Sequence, residues 1–198
     1  MDTTDCILTR RSVRAFKAKP VPKELLTKIL DQAKRSPSCA NTQPWEFAVF
    51  GGEVMEEMRK AYRERFLSGG EAKPEIPYPF NAWPEPYLSR RMALSKGQHN
   101  LLGIDANNKE QVQQFWLRGY SFFGAQNGII IYISDNLPTY SVLDVGIILQ
   151  SILLLAHNHG LGCCAQLQMV AYPDKDDILN TSVTEWLTLD EMVTWHGI

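Results

Sequence analysis

Apolar positions recur at helical spacing after Pro20-Val21-Pro22, with Leu25, Leu26, Ile29, Leu30 and Ala33 on one side and lysine and aspartate between them. This predicts a helix that stops near Ser36-Pro37, because a residue before proline is pushed out of the α region. Trp45 to Phe50 reads as a strand closed by Gly51-Gly52. Glu53 to Phe66 predicts a second helix, with Val54, Met58, Ala61 and Tyr62 on one side. The pattern breaks across residues 69–94, where Pro74, Pro77, Pro79, Pro84 and Pro86 are expected to exclude a long helix or a central strand. Tyr78, Phe80, Trp83 and Tyr87 make the same stretch aromatic, which suits an ordered excursion such as a lid or partner-embracing arm, or a plain connection. Helical periodicity resumes from Asn108 to Gly119, and Asn127 to Ser134 is a buried-strand run. Leu143 to Asn158 is apolar nearly all round, stops at Gly160 and is expected to be central. Gly162 to Met169 reads as another strand. The expected fold is α+β, with helices about a central mixed or antiparallel sheet.

Composition narrows the function. The chain has 198 residues, with 20 Lys+Arg against 22 Asp+Glu and a formal net charge of −2. That length suits one domain, or at most two small ones, able to bury roughly 70% of the unfolded surface without a disulfide or metal staple. The acidic balance argues against a nucleic-acid partner. Cys6, Cys39, Cys163 and Cys164 form no C-x-x-C pair, and the histidines supply no zinc spacing, so no metal site is expected and the thiols read as reduced. The N-terminus is acidic where a signal peptide would be basic, and the apolar run from Val145 to Ala156 is too short to cross a bilayer. The expectation is a soluble, cytoplasmic protein.

Three stretches carry candidate chemistry. Arg10-Arg11-Ser12-Val13-Arg14 places three guanidiniums and a hydroxyl within five residues, and arginine offers planar paired donors shaped for phosphate. On residue type alone this could equally be a solvated basic face. Ser36 to Trp45 sets small and amide-bearing residues between two prolines, a stiff loop able to hydrogen-bond the edge of a flat heterocycle, or an ordinary turn. Gly160-Leu161-Gly162 reads as a helix stop plus a close backbone approach. G-x-G-x-x-G, G-x-x-x-x-G-K-[ST], G-x-S-x-G and H-E-x-x-H are all absent. His157 and His159 read as capping or surface groups, and Asp144 as helix-dipole compensation.

Taken in order, these stretches resemble the FMN-dependent nitroreductase family. The match runs from Arg10-Arg11-Ser12-Val13-Arg14-Ala15-Phe16 through Pro37 to Trp45, then Phe122-Phe123-Gly124-Ala125, Asp144 to Gln150 and His159-Gly160-Leu161-Gly162. It covers about Ile7 to Met169 and returns at Leu189 to Trp195. The resemblance implies an intertwined homodimer with two FMN sites at the subunit interface. It implies NADH or NADPH as reductant and nitroaromatics, quinones or similar small electron-poor acceptors, reduced by ping-pong hydride transfer. Arg10, Arg11, Ser12 and Arg14 would meet the phosphate, ribityl chain and pyrimidine edge of the flavin. Pro37, Ser38 and Asn41 would come from the partner subunit, while Gln166, Leu167 and Gln168 match the strand whose backbone faces the ring. An arginine near N1 stabilises the negative charge of the reduced flavin, so no protein acid or nucleophile is needed and no catalytic side chain is assigned.

Two departures stand out. After Gln168-Met169-Val170 the chain runs almost directly to Asn180 and the closing motif, as though one helix-plus-strand unit were missing. Trp186 falls where the family usually has a phosphate-binding arginine, whose loss commonly costs ~1.5–3 kcal/mol. These open two alternatives: a flavin-poor binding or vestigial member, and a related dehalogenase or flavin-degrading enzyme.

Overall fold

A computed structural model describes residues 1–69, 73–74, 82–170, 172 and 187–188. The chain forms two compact units, one of Met1–Glu57, Gly124–Ala165 and Ser182–Ile198, the other of Met58–Phe123 and Gln166–Thr181.

The first unit opens with helix α1, Thr3–Thr9, whose N-cap Asp2 accepts from the Asp5 amide at 2.8 Å. Seven residues carry too little periodicity to be read from sequence. Helix α2, Lys23–Ala33, lies where its apolar spacing predicts and buries Leu26, Ile29, Leu30 and Ala33. Strand β1, Glu46–Gly51, leads straight into helix α3, Gly52–Leu67. Strand β2, Asn127–Tyr132, pairs antiparallel with β1, setting Phe47 opposite Ile131 and Val49 opposite Ile129. Strand β3, Leu187–Thr188, pairs antiparallel with the other edge of β1, giving the order β2-β1-β3. The core joins Ile29, Leu30 and Ala33 to Trp45, Phe47, Ile148, Ile152 and Ala156. Trp45 is therefore part of the core.

Helix α6, Ser141–Asn158, supplies the last three of these and ends at Gly160, whose φ of 74° only glycine adopts freely. Its centrality is partial. One face is buried through Ser141, Asp144, Ile148, Ile152 and Ala156, while Leu143 on another face is 52% exposed. At 18 residues and mean hydropathy 1.5 the helix is long and apolar enough to span a bilayer, longer than the uninterrupted run in the sequence suggests. Its buried face is spent on the protein core and carries a carboxylate, so its composition alone assigns it no membrane.

In the second unit, helix α5, Lys109–Tyr120, is capped by Asn108, which accepts from the Glu110 and Gln111 amides at 3.1 Å. Met58, Tyr62, Leu117, Tyr120, Phe122, Met169 and Tyr172 are buried here. Phe66 stacks on Tyr120 at 4.6 Å between ring centroids, and the Tyr172 hydroxyl donates to that of Tyr120 at 3.1 Å. Helix α4, Tyr87–Leu102, corrects the expectation that the proline-rich stretch holds no long helix. Pro86 is its N-cap, where a missing N–H costs nothing, so the prolines end before the helix begins. Among the aromatics of that stretch Trp83 is half-buried; Tyr78 and Phe80 lie outside the described residues, as does Trp186.

The expected strand from Gly162 to Met169 does not form. Cys163 makes a single bridge and Gln168–Val170 is a 3-10 turn. Apolar alternation cannot make a strand without a ladder partner, and among the described residues only Ser12 supplies one here.

Candidate functional site

The arginine segment owes its shape to backbone pairing. After α1 the chain is extended, Ser12 forms a parallel bridge with Cys163, and the Val13 amide donates to the Cys163 carbonyl at 2.9 Å. Gly162 permits this approach, since a Cβ there would lie 2.9–3.1 Å from the Val13 side chain. The close approach read from Gly160-Leu161-Gly162 is thus to the arginine segment itself. Thr9, one residue upstream, holds the segment's root: its hydroxyl lies 2.6 Å from the Asp5 carbonyl and 2.8 Å from His157 Nε2 at the end of α6.

With the backbone fixed, backbone carbonyls take up part of the guanidinium donor set. Arg11 Nη1 donates to the Leu8 and Arg10 carbonyls at 2.9 and 2.8 Å, and Arg14 Nη1 to the Ser12 carbonyl at 3.3 Å. Among the described residues no carboxylate pairs with Arg10 or Arg11. Burial pushes the Cys163 thiol above its ordinary range, as does neighbouring Cys164, while the charge of Arg10 pulls it down. The Cys164 thiol is likewise raised by burial against the opposing pull of Arg14. Both arginines therefore act electrostatically on the segment they pair with. All four cysteines are free thiols.

The loop after α2 is pinned to α6 at two points. Ser36 Oγ lies 2.6 Å from Ser151 Oγ, and the Cys39 amide donates to the Asp144 carboxylate at 3.2 and 3.3 Å. Asp144 is only 3% exposed, so it anchors the loop as well as standing in the first turn of α6. That role was missed in the sequence; the signal was a lone carboxylate on an otherwise apolar helix. Ala40, Asn41 and Gln43 hold φ of 50°, 56° and 45°, a left-handed geometry that L residues adopt only when the surroundings impose it. The Gln43 amide donates to Ser38 Oγ at 2.9 Å, and Gln43 Nε2 to Asn41 Oδ1 at 3.0 Å. The Ser38 hydroxyl proton and the Asn41 amide protons are left to donate, and Pro37 is exposed beside them.

Gln166, Leu167 and Gln168 belong to the second unit and use their side chains differently. Gln166 Nε2 donates to the Gly119 carbonyl at 3.1 Å, and the Gln168 amide packs where a Cβ on Gly119 would sit. Leu167 is 44% exposed.

FMN, the cofactor that the sequence resemblance implies, presents a phosphate dianion, ribityl hydroxyls and a pyrimidine edge rich in acceptors. Two arginines without a carboxylate partner among the described residues, on a backbone locked by its own pairing, suit such an anionic, acceptor-rich ligand. The residues present fit the group.

Comparison with known proteins agrees. A sequence profile of the nitroreductase family matches residues 7–195. The nitrobenzene nitroreductase of Ectopseudomonas oleovorans is 34% identical over 165 residues, spanning 82% of this chain and 72% of that protein. The 4-nitrobenzoate reductase of Pseudomonas putida is 32% identical over 189 residues, spanning 84% and 72%. The crystal structure of the FMN- and NADPH-dependent nitroreductase NfnB of sphigopyxis sp. strain HMH superposes with a TM-score of 0.84 at 27% identity, over 100% of each chain. With the profile spanning nearly the whole sequence and the fold matched along its full length, this chain belongs to the nitroreductase family.

Proposed function

We propose that the protein is a homodimeric, cytoplasmic FMN-dependent oxidoreductase that uses NADH or NADPH to reduce nitroaromatic or similar electron-poor acceptors by a ping-pong course. The observation that carries this reading is the Arg10–Arg14 segment, fixed by its bridge to Cys163 while Arg10 and Arg11 have no carboxylate partner among the described residues. The chemistry supplied when FMN is bound is two-electron hydride transfer from the nicotinamide to the acceptor. Arg10, Arg11, Ser12 and Arg14 would hold its phosphate, ribityl chain and pyrimidine edge. Ser38 and Asn41, with Pro37 beside them, would close the site from the other subunit. Gln166, Leu167 and Gln168 would offer backbone groups to the ring, the Gln166 side chain being bonded to Gly119 and that of Gln168 packed against it.

The dimer reading is supported by the open apolar face of α6, formed by Val142, Leu143, Gly146 and Ile147, and by Ile7 and Leu8 of α1, 56% and 66% exposed. Apolar surface of that kind marks an association face. Purified protein should be yellow and should bleach anaerobically with NADH or NADPH. Arg10→Ala and Arg14→Ala should each weaken FMN retention about 10–100-fold, the scale of a lost charge-assisted hydrogen bond. Undiminished occupancy in both variants would remove the assignment. A colourless wild type that takes up no added FMN would favour a vestigial binding protein.

A further inference from the structure

From Cys6 to Lys23 the sequence holds six of the chain's 20 Lys+Arg and none of its 22 Asp+Glu. Arg10, Arg11 and Arg14 are the first three of these cations, and Lys17, Lys19 and Lys23 follow. Lys23 has Glu24 beside it, so Lys17 and Lys19 are the pair whose charge no sequence neighbour offsets. Both are exposed, and among the described residues no carboxylate pairs with either. Like charges held close repel one another, and a bound anion relieves that repulsion. The backbone that carries them is fixed. The Lys19 amide donates to the Lys17 carbonyl at 2.8 Å, closing a tight turn, and Pro20 and Pro22 restrict the dihedrals that follow. The Val21 amide donates to Asn127 Oδ1 at 2.7 Å, where β2 begins. The Asn127 side chain in turn occupies the space that a Cβ on Gly51 of β1 would need.

We propose that Lys17 and Lys19 capture the phosphates of the nicotinamide dinucleotide, and that they favour NADPH over NADH through its additional 2′-phosphate. This rests on the flavoenzyme reading above and assigns its reductant. Lys17 is three residues beyond Arg14 and Lys19 five, so their Cα atoms lie at most about 11 and 18 Å from that of Arg14. A dinucleotide whose nicotinamide reaches a flavin held by the arginine segment carries its phosphates over a distance of that order. The residue types divide the work. Guanidinium forks suit a phosphate kept in one geometry, as a resident cofactor requires. An ammonium on a flexible stem is a point charge that meets a phosphate from many directions, which suits a reductant that binds and leaves at every turnover. NADPH and NADH differ by that one phosphate, so cations that tell them apart do so by its charge. An exposed pair acts chiefly on the rate of encounter, and salt screens it.

Flavin bleaching in the FMN-loaded protein, followed anaerobically by stopped flow, tests this. The wild type should be reduced faster by NADPH than by NADH, and added sodium chloride should narrow the gap. Lys17→Gln combined with Lys19→Gln should slow reduction by NADPH about tenfold, slow NADH less, and leave FMN retention as it is. Lys17→Arg combined with Lys19→Arg keeps both charges and should keep the preference. A wild type that shows no preference for NADPH would overturn the inference, as would a glutamine pair that shows the same preference as the wild type. Neither outcome touches the flavoenzyme reading. A protein that takes up no FMN would instead sink that reading, and this inference with it. The wild-type salt series needs no variant, so the inference stays open to refutation if the glutamine pair fails to fold.

Discussion

The Arg10–Arg14 segment of the first unit and the Gln166–Gln168 segment of the second are built on opposite plans. The first fixes its backbone, through the bridge to Cys163 and the space over Gly162, and among the described residues gives Arg10 and Arg11 no carboxylate partner. The second places its glutamine side chains inward, with Gln166 bonded to the Gly119 carbonyl and the Gln168 amide packed against Gly119, its Nε2 buried without a hydrogen-bond partner among the described residues. Which residues touch a ligand through side chains is therefore decided by what the fold has already consumed. A charged group costs much to bury alone and tends to stay available. The Gln166 amide is satisfied by the Gly119 carbonyl, whereas the Gln168 amide is held by packing.

The sharpest way to break the contrast is at the two glycines. Gly162→Ala pushes a methyl group against the β-branched Val13, a stiff neighbour, and should cost about 1–3 kcal/mol in chemical denaturation together with loss of bound FMN. Gly119→Ala meets the end of the Gln168 side chain, which can swing away, so the loss should be smaller and confined to stability. Asp144→Ala strands the Cys39 amide and should cost about 1–3 kcal/mol, intermediate in its effect on cofactor affinity because it loosens the loop bearing Ser38 and Asn41. Gln166→Ala removes one neutral hydrogen bond and should cost only about 0.5–1.5 kcal/mol.

The smallest effect is on pH. Burial raises the Cys163 and Cys164 thiols above the ordinary 9.0, so the unfolded chain ionises them first. Their contribution is intact below that value and is lost as pH climbs above it. Stability measured from pH 8 to 10.5 should fall more steeply in the wild type than in a Cys163→Ala, Cys164→Ala double variant. Parallel curves would count against the buried-thiol account.

Much of the fold was legible because burial leaves a period in the sequence: α2, β1, α3, α5, β2 and α6 all lie where apolar spacing places them. α4 was hidden by the prolines that precede it, although proline stops a helix only from inside. The segment after Gly162 misled because a strand is a relation between two stretches of chain, and hydrophobicity records only one of them. Within the site, the arginine cluster was readable from residue type and the loop from its prolines. The anchors were not: Ser36 with Ser151 and Cys39 with Asp144 join residues more than a hundred positions apart.

Thr9 sets the tautomer of a distant ring. Its hydroxyl has one proton, and the Asp5 carbonyl 2.6 Å away takes it, so the 2.8 Å contact with His157 requires the imidazole to donate from Nε2. The chain therefore enters Arg10 from a residue tied at once to its own helix and to the end of α6.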